Sequence, residues 1–152
     1  MRKKCRRKIW AKVDPINHAI KGAAITDDES LAKLELIELS ALESMAKGHG
    51  TWEDWDVLAN CVNIAEVMSR SGIGVEVLTV CEAAEKELRN AAERFKRIQK
   101  MGLTGLGIQN FRELMEFVNL QRRSISRGEF ERMIEKTMNC IRSNHHKVVH
   151  IT

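Results

Sequence analysis

The sequence predicts an all-α protein, a single-domain bundle of five or six helices that follows a basic N-terminal arm. Three observations carry this prediction. Apolar residues recur every three to four positions in successive segments, most segments open on a capping pattern or close on a glycine, and almost no stretch alternates between apolar and polar residues. Amphipathic helices joined by short loops bury their apolar faces against one another, which gives a bundle.

The basic arm comprises residues 1–13 and contains no acidic residue. Removing its seven cations from the total of 25 Lys and Arg leaves 18, against 21 Asp and Glu, so the rest of the chain has a net charge of −3. A block of like charges repels itself and usually meets an anionic partner. The alternative is a solvated tail that only aids solubility. The cations are Arg2, Lys3, Lys4, Arg6, Arg7, Lys8 and Lys12.

The bundle is predicted over residues 14–143, and capping residues mark its first two helices. Asp14 is an N-cap followed by Pro15 at the first helical position, and Gly22 can end this short helix. Residues 26–29 form a capping box, in which a hydroxyl and a carboxylate satisfy free backbone amides. The second helix is expected to end at Gly48. Its stripe consists of Leu31, Leu34, Glu38, Leu42 and Met45, with Ile37 and Ala41 beside it.

Two longer helices are predicted in the middle of the chain. The third begins at residues 51–54 and ends at Gly72, and the fourth, the longest, lies between Gly74 and Gly102. The apolar face of the third helix consists of Trp55, Leu58, Val62, Ala65 and Met68. That of the fourth consists of Leu78, Cys81, Ala84, Leu88, Ala91, Phe95 and Ile98.

The last two helices follow a glycine-rich joint. We expect residues 103–107 to be flexible and the fifth helix to begin after them. A capping box at residues 126–129 opens the sixth helix, and a basic, histidine-bearing tail, residues 144–152, follows it. The two apolar faces consist of Ile108, Phe111, Leu114, Met115 and Val118, and of Phe130, Met133, Ile134, Thr137 and Ile141.

Composition narrows the class of protein. A chain of 152 residues can bury a sufficient core as one domain. Its four cysteines, which are far apart and form no Cys-x-x-Cys pair, and the lack of a secretory leader favour a reducing cytoplasm. No apolar run approaches the roughly 20 residues of a membrane span. We therefore expect a cytoplasmic protein without a membrane partner.

The strongest metal-site candidate is a C-terminal cluster of Cys140 with His145, His146 and His150. Zinc takes about four nitrogen or sulfur ligands in a tetrahedron. The cluster lacks a second cysteine, and its histidines lie beyond the last apolar stripe. We therefore expect no bound metal and no cofactor, and a metalloenzyme is the weakest functional hypothesis.

Groups for other kinds of catalysis are also incomplete. The pairs Glu82/Glu85 and Glu113/Glu116 each share a helix face, but no Glu-x-x-His motif accompanies them, as a di-iron bundle requires. We expect these glutamates to face solvent. Neither a nucleophile beside a base nor a phosphate-binding loop is found. The sequence favours a protein that is not an enzyme.

Nucleic-acid binding is a stronger hypothesis. The arm includes one aromatic residue, Trp10, and each phosphate that the arm neutralised would add salt-dependent affinity. A helix–turn–helix unit placed around Gly105 would present Gln109, Asn110 and Arg112 to DNA. These side chains can read the edges of adenine and guanine.

Two further groups of residues each allow two interpretations. Arg122, Arg123 and Arg127 lie near the end of the fifth helix, where they could extend the basic face of the arm or complement the helix dipole. Trp52 and Trp55 could pack into the bundle and its adjoining loop. Alternatively, one of them could be an exposed anchor of a protein interface, where tryptophan is enriched.

Residues 50–58, residues 62–66 and the Gly-Ile-Gly sequence at 72–74 resemble a group of small proteins encoded by phages, prophages and plasmids of Gram-negative bacteria. The similar layout covers most of residues 10–142. The resemblance implies a mobile-element context, in which small accessory proteins often bind host defence or nucleic-acid machinery without catalysis. It assigns a role to no individual residue.

These observations predict a non-enzymatic accessory protein that binds a host protein or nucleoprotein complex, such as a defence system or a CRISPR-type complex. One alternative is a DNA- or RNA-binding accessory protein that uses the arm and the helix after Gly105. The other is a metalloenzyme that uses the C-terminal cluster. The sequence specifies neither the partner nor the oligomeric state.

Overall fold

The computed structural model describes residues 29–143, which form five α-helices and no β-strand. The predicted all-α bundle is confirmed for this part of the chain. The arm, the short helix expected after Asp14, residues 26–28 of the first capping box and the tail at 144–152 lie outside the described residues. The helices are α1 (Glu29–Ala46), α2 (Trp52–Arg70), α3 (Val77–Ile98), α4 (Gly105–Arg123) and α5 (Arg127–Arg142).

Helix α2 is the centre of the bundle and contacts the other four helices. Its burial on nearly all sides explains why its apolar residues are spread around the helix rather than along one stripe. The main core is formed by α1 to α4. A smaller cluster around Leu31, Met68, Ile125 and Phe130 joins α1, α2 and α5.

Capping boxes define the starts of α2 and α5. The Thr51 hydroxyl accepts from the Asp54 amide at 3.2 Å, and the Asp54 carboxylate accepts from the Thr51 amide at 2.9 Å. Ser126 and Glu129 repeat this exchange at α5. The predicted start of α2 and the predicted capping box of α5 are confirmed. Helix α3, by contrast, ends at Gln99 in the left-handed conformation, three residues before the glycine expected to end it.

Helices α3 and α4 form an antiparallel pair. Gly107, near the start of α4, lies against Glu87 in the middle of α3, whereas Gln121, near the end of α4, contacts Gly74, just before α3. A helix–turn–helix unit instead joins its helices at about 90–120° through a turn of three or four residues. The helix–turn–helix placement around Gly105 was therefore wrong.

The connection between α3 and α4 is held in place on both sides. The Gly50 amide donates to the Met101 carbonyl, and the Leu103 amide donates to the Met45 carbonyl, both at 3.1 Å. Arg94 donates to the Gly102 carbonyl at 2.9 Å. The expectation of a flexible joint at residues 103–107 was therefore wrong. Leu103 is buried and paired with Met45, Thr104 is the N-cap of α4, and residues 105–107 form the first turn of that helix.

Some residues were assigned to the wrong environment. Glu85 was expected to face solvent but is buried, with its carboxylate paired to Arg89 one turn along α3. Ile37 and Ile98 were placed in or beside apolar stripes but are at least half exposed. Within residues 29–143, no helix combines the length and the apolar character needed to cross a membrane.

Candidate protein-binding surface

The arrangement of α1 against α4 depends on a buried ion pair. Arg122 of α4 donates two hydrogen bonds to the Glu38 carboxylate of α1, at 2.9 and 2.6 Å. Arg122 is 0% exposed, which makes it one of the largest fully buried side chains in the described part of the chain. A bidentate guanidinium–carboxylate contact is geometrically specific. It therefore fixes both the spacing and the rotation of the two helices.

The surroundings of Arg122 favour the charged form of its guanidinium. Burial opposes the charge on Arg122, but the hydrogen bonds and charge of Glu38 outweigh this cost and raise the pKa of the guanidinium. The ring of Phe130 lies 5.8 Å from the guanidinium carbon, within reach of a cation–π interaction. Burial, followed by the nearby carboxylate of Glu38, raises the pKa of the Cys61 thiol well above its usual value.

With Glu38 turned inward, α1 exposes large apolar side chains on its outer surface. Leu36 is 68% exposed and Leu39 is 54% exposed. These residues are three positions apart and so occupy neighbouring positions on one helix face. The apolar stripe that the sequence indicated accounts for the buried side of α1. The exposed leucines form a second apolar region with no partner among the described residues.

A groove follows the boundary between α1 and α4 beside these leucines. Its volume is about 480 Å³. The apolar walls are formed from both helices, and charged side chains lie at the rim. The lining residues are Leu39, Leu42, Glu43, Ala46, Lys47, Ile108 and Arg112.

Helix α4 contributes a row of four residues to the same surface. Ile108 and Arg112 line the groove, and Glu116 and Leu120 continue the row at intervals of four residues. Leu120 is 65% exposed. Together with the leucines of α1, this row defines the α1/α4 face: Leu36, Leu39, Glu43, Ile108, Arg112, Glu116 and Leu120.

The two tryptophans pack in the bundle. Trp55 is 1% exposed, and its indole nitrogen donates to the Leu88 carbonyl at 2.9 Å. Trp52 is half-buried and makes edge contacts with the rings of Trp55 and Phe95, at centroid distances of 5.8 and 5.2 Å. The packing interpretation is confirmed for Trp55. The interpretation of Trp55 as an exposed interface anchor was wrong, because its ring is enclosed by α2 and α3.

The three arginines near the end of α4 do not form one basic face. The prediction that Arg122 forms a surface contact was wrong, because its side chain is buried against Glu38. Arg123 is exposed and bridges to Glu35 of α1 at 3.2 Å, and Arg127 is partly buried near the start of α5. The Arg122 charge is neutralised inside the protein, so it cannot extend the field of the arm.

The three predicted base-reading residues are not brought together. Gln109 and Arg112 are one turn apart on the exposed side of α4. Asn110 is only partly exposed and projects from a different side of the helix, since successive residues are rotated by about 100°. Arg112 instead lies at the rim of the groove with α1. The three side chains therefore do not form the single recognition surface that the sequence predicted.

The predicted metal cluster falls mostly outside the described residues. Cys140 is partly buried on α5, where it borders a shallow surface depression of about 310 Å³ with Arg132 and Lys136. His145, His146 and His150 lie beyond residue 143. Within residues 29–143, no three His, Cys, Asp or Glu side chains lie close enough to hold a metal ion.

Comparison of the chain with protein-family models, with curated proteins and with solved structures gave no significant match. The α1/α4 face was not identified from the sequence. The available signal was the run from Leu36 to Leu39, which has three aliphatic residues in four positions and exceeds what one helical stripe can bury.

Proposed function

We propose that the protein acts by stoichiometric, non-enzymatic binding and presents the α1/α4 face to a partner protein. One observation carries the proposal: the exposed leucines of α1 lie at an apolar groove between α1 and α4, and the groove has a charged rim. Contiguous apolar patches with polar surroundings are typical of protein interaction sites. A shallow groove between two helices suits an apolar ridge on a partner, such as one side of an amphipathic helix.

The proposed partner is a host protein or nucleoprotein complex in the bacterial cytoplasm, and the proposed context is a mobile genetic element. Support for this context comes from the resemblance of residues 50–74 to phage, prophage and plasmid proteins. Inhibition of a defence system, including a CRISPR-type complex, is the form of activity we favour. Such inhibition needs no catalysis, because a bound protein can block a functional surface of the defence complex.

Affinity capture from a Gram-negative host lysate tests the role of the face. The full chain should retain a partner after nuclease treatment, and the double variant L36S/L39S should lose it. The matched control is V75S/I98S, which removes two apolar side chains that are 57% and 50% exposed outside the face. Equal capture by both double variants, or loss of the partner on nuclease treatment, would contradict the proposal.

Direct nucleic-acid binding by the arm is the second candidate, and the seven cations within residues 1–13 favour it. Binding through phosphate neutralisation should weaken steeply with salt. Fluorescence anisotropy with a labelled oligonucleotide measures this dependence. If the arm binds nucleic acid, deletion of residues 1–12 should abolish most of the affinity. The L36S/L39S substitutions should leave it unchanged.

A further inference from the structure

The row on α4 has a symmetric pattern. Its four residues read apolar, basic, acidic, apolar, with Ile108 and Leu120 at the ends and Arg112 and Glu116 between them. The spacing of four residues keeps all of them on one ridge of the helix. When the row is reversed, apolar residues again occupy both ends, and the basic and acidic residues in the middle are interchanged.

The two central charges are available for an external contact. Arg112 and Glu116 are both exposed, and neither forms an ion pair with another residue in the described part of the chain. Two other charges at or beside the α1/α4 face are paired within the chain. Glu43 pairs with Lys47 at 2.6 Å, and Arg123 contacts Glu35 of α1.

We propose that, in the absence of another partner, the α1/α4 face is covered by a second copy of this chain related by a two-fold axis. If α4 packs antiparallel to its counterpart about the midpoint of the row, each Arg112 lies opposite the second copy's Glu116. Each Ile108 then lies opposite the second copy's Leu120. A two-fold interface requires this reciprocity, because the same patch is used on both subunits.

The dimensions of the face suit such an interface. Helix α4 has 19 residues and is therefore about 28 Å long. Two adjacent helices present a surface about 20 Å wide. The flat area is therefore about 560 Å², which side-chain relief increases toward the roughly 800 Å² per partner of a standard protein interface. Leu36 and Leu39 of α1 would add apolar contacts beside the central charges.

Self-association goes beyond the proposed function and can fail independently of it. The same leucines serve both interfaces, so a partner protein and the second copy compete for the α1/α4 face. Self-association is measured on the purified chain alone, without a partner. A monomeric chain whose L36S/L39S variant loses its lysate partner would disprove the dimer but not the proposed function.

Sedimentation equilibrium of the full chain and its charge variants tests the dimer. The wild type should approach twice its 17.3 kDa mass as concentration rises. R112E and E116R should each raise the dimer dissociation constant at least about tenfold, since like charges then face each other twice per interface. An equimolar mixture of the two variants should form a heterodimer, because every facing pair is again of opposite sign.

The matched controls are K86E and E93R, which make the same charge changes at exposed positions on α3 and should dimerise like the wild type. Circular dichroism establishes that each variant retains its helix content. A wild type that stays monomeric at every concentration overturns the proposal. So does a dimer that is insensitive to R112E and E116R, or a mixture of these variants that does not associate.

Discussion

Glu38 and Arg122 are 84 positions apart in the chain and form a bidentate ion pair inside the bundle. The pair joins the first and fourth described helices, so it closes the structure at long range. Burying two charges costs solvation free energy, which their mutual attraction only partly offsets. The main contribution of the Glu38–Arg122 pair is therefore to select one packing of α1 on α4. This packing leaves Leu36 and Leu39 exposed.

Loss of one partner of this pair should be strongly destabilising. R122A should lower the free energy of unfolding by about 3–5 kcal/mol, because the Glu38 carboxylate is left buried without its counter-ion. The double variant E38L/R122M should recover most of that loss. Urea denaturation followed by circular dichroism measures both effects. The control is R123A, which breaks an exposed pair and should cost at most about 1 kcal/mol.

Trp55 should matter for stability more than for binding. W55A removes a fully buried ring and its hydrogen bond to Leu88, so it should cost about 3–5 kcal/mol. W52A should cost less, because that ring is half-buried. The midpoint of thermal unfolding compares the two variants. Equal losses for W52A and W55A would show that the two rings contribute alike to the core.

The segment after α3 should tolerate an added methyl group poorly. A Cβ at Gly102 would lie 3.1 Å from the Gly48 Cα and 3.2 Å from the Met45 carbonyl oxygen, and both are backbone atoms. G102A should therefore destabilise the fold by about 1–3 kcal/mol. The matched control is G105A at the start of α4, where the Cβ meets open space, and it should be neutral or stabilising by up to about 1 kcal/mol.

The buried thiols should make stability decrease at high pH. Burial, followed by the carboxylates of Glu66 and Glu85, raises the pKa of Cys81 from 9.0 to about 12. Below pH 9.0 the thiol is neutral in both states, and its contribution to stability is fully present. Between pH 9.0 and about pH 12, the Cys81 thiol ionises in the unfolded chain but stays neutral in the folded protein. The free energy of unfolding therefore falls by up to about 1.4 kcal/mol per pH unit for this group.

The C81A variant isolates this effect. Its free energy of unfolding, measured by urea denaturation from pH 8 to pH 11, should decline less steeply than that of the wild type. C140A serves as the control, because Cys140 is only partly buried and near the surface. A wild-type slope that C81A leaves unchanged would mean that Cys81 titrates at its ordinary pKa in the folded protein.

Features that depend on neighbouring residues could be predicted from the amino-acid sequence. The capping exchanges of Thr51 with Asp54 and of Ser126 with Glu129 operate within three residues, so composition and spacing specify them. The helical periodicity of α2 to α5 is equally local. It predicted the all-α bundle and most of its buried apolar positions, since the side-chain direction along a helix follows from its pitch.

The partners of the buried polar groups depend on tertiary contacts: the periodicity places Glu38 and Trp55 on buried faces but indicates no hydrogen-bond partner for either. The spacing of four positions from Val118 places Arg122 on the apolar face of α4. Its partner Glu38 is 84 residues away, so the segment around Arg122 does not indicate which group compensates the buried charge. Trp55 likewise owes its burial to the carbonyl and side chains of α3. The α1/α4 face arises because Glu38 turns inward and orients α1. The local pattern places Glu38 on the buried side of α1, but it cannot indicate the pairing with Arg122 or the neighbouring helix, since these depend on contacts between distant segments.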